Sequence, residues 1–145
     1  MPNTPLDPKH RAKTIAALVL CLVVLVGASL LASLTQRGFG RVAVSNVTFS
    51  NSNGIRVRAK LLRPKNATAE NPMPGVVYIH GYQNNRETSD AYCIEMARRG
   101  FVVLNIDAIG RGNSGEPNDI NDPTFDDTFG ALSSFEYLRA LPFVN

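Results

Sequence analysis

Residues 74–115 read PGVVYIHGYQNNRETSDAYCIEMARRGFVVLNIDAIGRGNSG, and this stretch decides the fold. Two short apolar runs, GVVYI at 75–79 and FVVLNI at 101–106, enclose a segment of helical period that ends at Arg98-Arg99-Gly100. Both runs are too continuously apolar to have a solvated face, so both are expected in a sheet covered on two sides. That is the usual state of parallel strands joined by a crossover helix. The unit reads β-helix-β with a right-handed crossover, and the fold class is α/β. Within the helix, Tyr92, Cys93, Met96 and Ala97 form the expected core stripe, Ser89 or Thr88 is the expected cap, and Asp90 sits near the positive end.

Chemistry is expected where the two strands end, because ligands of open α/β sheets gather outside the carboxyl ends of the strands. The first strand runs into His80-Gly81-Tyr82 and the second into Asp107-Ala108-Ile109-Gly110-Arg111-Gly112-Asn113-Ser114-Gly115. The second loop matches the dinucleotide fingerprint Gly-x-Gly-x-x-Gly. A true fingerprint opens straight into a helix that meets the pyrophosphate, whereas an acidic, proline-bearing loop follows here at 116–123. Nucleotide binding is therefore set aside. Asp107 reads as the organiser of its own loop rather than as an acid or base, and Arg111 as a solvated loop arginine, with contact to a substrate carboxylate as the alternative.

An apolar strand ending in His80-Gly81, a helix ending in Arg99-Gly100, and a second strand ending in Asp-x-x-Gly-x-Gly-x-Ser from Asp107 to Ser114 together resemble the first half of an α/β-hydrolase. The branch is the one that includes dienelactone-hydrolase-like and serine-aminopeptidase-like enzymes, and the likeness covers roughly residues 42–144. The resemblance implies a β-hairpin followed by β-α-β-α. It also implies that His80 shapes the oxyanion loop and is not the triad histidine, which lies near the far end of such domains. The backbone N–H of Tyr82 would be one of two donors to the oxyanion, with Gly81 permitting the tight turn that aims it. Asp107, Gly110, Arg111 and Gly112 would shape the site. The implied reaction is acyl transfer from an ester or a peptide amide to serine and then to water, without metal or organic cofactor.

No Gly-x-Ser-x-Gly occurs in the 145 residues. Ser114 is not read as a nucleophile, because it lacks the second elbow glycine and follows the wrong strand. The chain is thus expected to stop short of the nucleophile elbow, to lack nucleophile, acid and base, and to be inactive as it stands. In the resembled family the His-Gly strand is paired on both sides, so an exposed strand edge and one exposed face of the last helix are expected. The rival reading is a non-catalytic, membrane-tethered half-domain that binds a partner or is completed by another polypeptide.

The segment from Thr14 to Leu34, TIAALVLCLVVLVGASLLASL, is 21 residues without a charge. As a helix rising 1.5 Å per residue it spans about 31 Å, the thickness of a bilayer core. It is read as a membrane anchor contacting lipid, between a basic tail at 1–13 and a linker at 35–41 that leads into the partial hydrolase domain at 42–145. Cleavage of a signal peptide near Ser29 is the alternative, disfavoured because the apolar run continues through Leu30, Leu31 and Leu34. Lys9, Arg11 and Lys13 before the run favour a cytoplasmic N-terminus with the hydrolase-like part outside. These residues with Arg37, against Asp7, supply the whole formal charge of +3, since from Arg41 onward 11 basic residues meet 11 acidic ones. The neutral remainder carries no nucleic-acid motif, and nucleic acid is set aside as a partner.

Residues 41–62 read as a hairpin turning at Asn51-Ser52-Asn53-Gly54, with Ile55, Val57, Ala59 and Leu61 buried and Arg56, Arg58 and Lys60 solvated. The basic stripe is taken as protection of an edge strand, with docking to an anionic membrane as the alternative. A last helix is predicted from Asp122 or Thr124 to about Leu141, with Phe125, Phe129, Leu132, Phe135 and Leu138 on one face. Cys21 and Cys93 are expected to stay unpaired.

Overall fold

The computed structural model describes residues 8–117 and 119–145, which divide into two compact units at Gln36/Arg37. The first is one helix, α1 (Pro8–Gln36), which extends past both ends of the uncharged run and buries none of its residues. It is long and apolar enough to cross a membrane.

The second unit is a four-stranded mixed sheet with helices on both faces. Its strands are β1 (Val42–Ser50), β2 (Arg56–Pro64), β3 (Gly75–Ile79) and β4 (Val102–Ile106), in the order β1-β2-β4-β3. The hairpin forms because Asn51 ties its own turn: its side-chain carbonyl accepts from the N–H groups of Asn53 and Ile55 at 3.1 and 2.8 Å. Strands β3 and β4 pair in parallel from Gly75 opposite Val102 to Ile79 opposite Ile106, and β2 joins β4 antiparallel.

Period-two alternation sorts the sheet into two cores. Val57, Ala59 and Leu61 of β2 and Val102, Leu104 and Ile106 of β4 face α3 (Ala131–Arg139), where Leu138 closes the cluster. Leu62 and Val103 face the other way, against Cys93 and Ala97 of α2 (Asp90–Arg98). Every residue of β4 is buried, as expected of a doubly covered strand, and each Leu or Ile so buried contributes about 1.5–3 kcal/mol. Strand β3 is an edge among the described residues: Ile79 is exposed, and on that side Met73, just before the strand, bridges in parallel to Val144.

Three expectations need correction. The basic stripe of β2 guards no edge, because β2 is interior, and α2 packs over the far end of that stripe. Lys60 there is bound by Asp90 and, at 2.9 Å, by Glu87. The last helix begins at Ala131, not near Asp122. Asp126 instead captures the backbone N–H groups of Thr128 and Gly130, and Phe129 and Gly130 take left-handed φ values of 52° and 90° that no helix continues through. Its buried residues are Ser134 and Leu138, while Leu132 and Phe135 stay exposed. Finally, Tyr92 points outward at 67% exposure, and α2 follows a 3-10 turn (Arg86–Ser89) capped by the Asn85 side chain rather than by Ser89 or Thr88.

Candidate active site

The ends of β3 and β4 lie side by side, and His80 joins them. Its Nε2 accepts the Ala108 N–H at 3.1 Å, and its Nδ1 lies 2.9 Å from the Gly81 carbonyl. This network assigns the proton to Nδ1, donating to the carbonyl, so both ring nitrogens are engaged. The ring is nearly buried. His80 therefore holds two strand ends together.

The loop after His80 turns on a different residue from the one expected. Gly81 is not left-handed, and a Cβ there would meet nothing nearer than Asn84 Nδ2 at 3.8 Å. The left-handed position is Gln83, at φ 63°. Tyr82 is 83% exposed, and its backbone N–H donates to no acceptor among the described residues.

The loop after β4 is built around Asp107, which is 1% exposed. Its Oδ1 accepts the Arg86 N–H at 2.9 Å and its Oδ2 the Asn113 N–H at 2.9 Å. Arg86 Nη1 lies 3.3 Å from the same Oδ2 as an ion pair, without hydrogen-bond alignment. Gly112, at φ 56°, passes so close that a Cβ would collide with this carboxyl. Ser114 bonds in both directions, donating to the Asp107 carbonyl at 2.6 Å and accepting the Arg58 N–H at 2.9 Å. Gly110, also left-handed, donates to the Gly115 carbonyl at 2.8 Å and closes the loop.

Between the two loops lies a cavity of about 280 Å³ lined by Ile79, His80, Gly81, Tyr82, Ala108, Ile109, Arg111 and Phe129. The Arg111 guanidinium stands over the Tyr82 ring, 5.0 Å from its centroid, which restrains the exposed tyrosine. The arrangement is a mostly apolar pouch, and the backbone N–H groups of Gly81 and Tyr82 in its lining donate to no acceptor among the described residues. Of the residues singled out from the sequence, Asp107, Gly110 and Gly112 shape the loop from behind, and His80, Gly81, Tyr82 and Arg111 reach the cavity. Ile79, Ile109 and Phe129 were not anticipated as lining. The tight turn of Phe129 into left-handed Gly130 brings its carbonyl to the Ile109 N–H at 3.0 Å, a pairing that apolar periodicity cannot reveal. No three His, Cys, Asp or Glu side chains cluster as a metal site among the described residues.

The family model for acetyl xylan esterase (AXE1) matches residues 31–131. An uncharacterized protein of Pseudomonas aeruginosa, PA2218, is 33% identical over 107 residues, which is 72% of this chain and 28% of that protein. Its crystal structure superposes with a TM-score of 0.62 over 72% of this chain and 33% of that one. The α/β-hydrolase GrgF of Penicillium sp. sh18 superposes with a TM-score of 0.55 at 22% identity, over 71% of this chain and 34% of its own. The chain thus spans about a third or less of the length of these relatives. On this sheet order, these loops and the family match, the chain belongs to the acetyl xylan esterase (AXE1) family of α/β-hydrolases.

Proposed function

We propose that residues 37–145 form the oxyanion side of a membrane-anchored serine esterase. The observation that carries this reading is that Tyr82, whose backbone N–H donates to no acceptor among the described residues, lines the apolar cavity beside a histidine whose two nitrogens are already committed. A donor that is not bound to protein is one that a developing carbonyl oxyanion can take up. The acyl group of an ester would rest against Ile79, Ile109 and Phe129, and the carbonyl oxygen would accept from Tyr82. The family's name favours a small acetyl ester over a peptide amide.

The nucleophile would be a serine outside these 145 residues, since Ser114 spends its hydroxyl on the backbone. In this reading the chain by itself is catalytically silent. The bridge from Met73 to Val144 supports entry of a further parallel strand along the open edge of β3. Helix α1 would hold the domain at a membrane, with Lys9, Arg11 and Lys13 on the cytoplasmic side.

The test uses the 145-residue chain in non-ionic micelles with 4-nitrophenyl acetate and a fluorophosphonate probe. The reading expects turnover equal to buffer and no labelled serine; a labelled serine overturns it. In the longer protein that supplies the serine, Tyr82→Pro, which deletes the donor, is expected to lower kcat by about 10²–10³ while Tyr82→Phe leaves it unchanged.

A further inference from the structure

A second cavity, of about 340 Å³, is lined by Arg56, Arg58, Arg86 and Asn113. It lies on the α2 face of the sheet at the carboxyl end of β4. Strand β2 runs antiparallel to β4, so its first residues flank that end, and the Asp107 N–H donates to the Arg58 carbonyl at 2.8 Å. Three guanidinium groups around one cavity repel one another unless something anionic compensates them.

The compensation within the protein falls on one of the three. Arg86 meets Asp107 at 3.3 Å and Glu87 at 3.4 Å, and its side chain is 7% exposed. Its Nη1 is nevertheless a buried donor without a hydrogen bond. Arg58 has only a neutral partner, the Thr48 hydroxyl at 2.6 Å, and the Arg56 side chain has no partner among the described residues. The Asp107 carboxylate is 1% exposed, accepts backbone N–H groups at both oxygens, and sets its charge against that of Arg86. Arg56 and Arg58 are thus left at the cavity without an ionic partner among the described residues. The contrast is Lys60, next on the same face, which pairs with Asp90 and with the Glu87 that Arg86 also meets.

We propose that this cavity binds a phosphate monoester, with Arg56 and Arg58 as its principal ligands and Arg86 and Asn113 forming its floor. A monoester carries close to two negative charges at neutral pH and three terminal oxygens, matching two guanidinium forks that have no ionic partner. A monocarboxylate offers one charge and one plane, and would leave one arginine unbalanced. The site is separate from the ester cavity and stands whether or not the esterase reading holds.

The experiment titrates the full chain in non-ionic micelles with methyl phosphate and with acetate, each against chloride at equal ionic strength, followed by calorimetry and by the arginine Nε–H resonances. Saturable binding of methyl phosphate is expected, with acetate at least about tenfold weaker. Each of Arg56→Gln and Arg58→Gln is expected to weaken binding about tenfold, and Lys60→Gln to leave it unchanged. Arg56→Gln removes an exposed side chain that makes no hydrogen bond or ion pair among the described residues, so its result does not depend on a folding defect. Glycerol 3-phosphate against dihexanoyl phosphatidic acid separates a free metabolite from a lipid headgroup, and tighter binding of either supports the site. Equal binding of acetate, or undiminished binding in Arg56→Gln and Arg58→Gln, overturns it.

Discussion

His80 Nε2 accepts the Ala108 N–H at 3.1 Å, so the last turn of one parallel strand is fastened to the first turn beyond its neighbour. The same ring donates from Nδ1 to the Gly81 carbonyl, which fixes the start of the loop that carries Tyr82. His80→Ala strips the buried Ala108 N–H of its acceptor, and leaving such a group unpaired costs about 1–3 kcal/mol. The denaturant midpoint of the chain in micelles is expected to fall accordingly. An unchanged midpoint would show that the two loops are held by other contacts.

Gly112 and Gly54 are both left-handed, yet only Gly112 is crowded. A Cβ at Gly112 meets the Asp107 carboxyl, whereas at Gly54 nothing lies within 4 Å. Gly54→Ala should therefore show only the cost of left-handed backbone, about 1 kcal/mol. Gly112→Ala adds displacement of a buried carboxylate that orders Arg86 and Asn113, and should cost at least twice as much. Equal effects in thermal melts would contradict this description of the loop.

Stability is expected to fall at both ends of the pH scale. Burial pushes the Asp126 carboxyl up, but bonds from Asn51, Thr128 and Gly130 outweigh it and hold the group below its ordinary value. Glu87 is likewise lowered, chiefly by its bond to Lys60. Groups lowered on folding stabilise above their unfolded values and lose that contribution as acid protonates the folded form. For Lys60 burial acts downward, yet Asp90 and Glu87 prevail and raise it, so its contribution is full below the ordinary lysine range and vanishes at higher pH. Asp126→Asn should flatten the acid limb of a melting-temperature profile and leave the alkaline limb in place.

Cys93 is wholly buried, and burial, with the Asp90 charge adding to it, pushes its thiol up to about 12. In a Cys21→Ser chain at pH 8, Ellman's reagent should find no thiol until denaturant is added. Immediate reaction would mean that α2 leaves the sheet readily.

The proposed anchor predicts that the chain stays in the membrane pellet through alkaline carbonate washing, with residues 1–13 still attached. Release into the supernatant, or an N-terminus beginning near Ser29, would mean a cleaved signal instead.

What the sequence revealed depended on the range of the interaction. The parallel pair was legible because β4 is apolar on both faces, and the hairpin because Asn51 to Gly54 is a local turn. The interior place of β2 was not legible, since its pairing with β4 joins residues more than forty positions apart. The last helix was overextended because the apolar spacing of Phe125 and Phe129 continues through a turn that Asp126 closes with its own side chain. At the candidate site, His-Gly-Tyr and the loop after Asp107 come from two adjacent strand ends and line one cavity, which the parallel pairing of their strands already implied. The wall contributed by Phe129 depends on a carbonyl contact to Ile109 that no spacing encodes.

The most direct test is the coding sequence beyond codon 145. Val144 lies opposite Met73, so a strand continuing in that register would reach the level of Ile79 six residues later. The account predicts an open frame that enters Gly-x-Ser-x-Gly within about a dozen codons, placing a serine beside the Tyr82 N–H. A stop codon, or an open frame without that motif, would contradict the claim that these residues are the oxyanion side of a serine esterase.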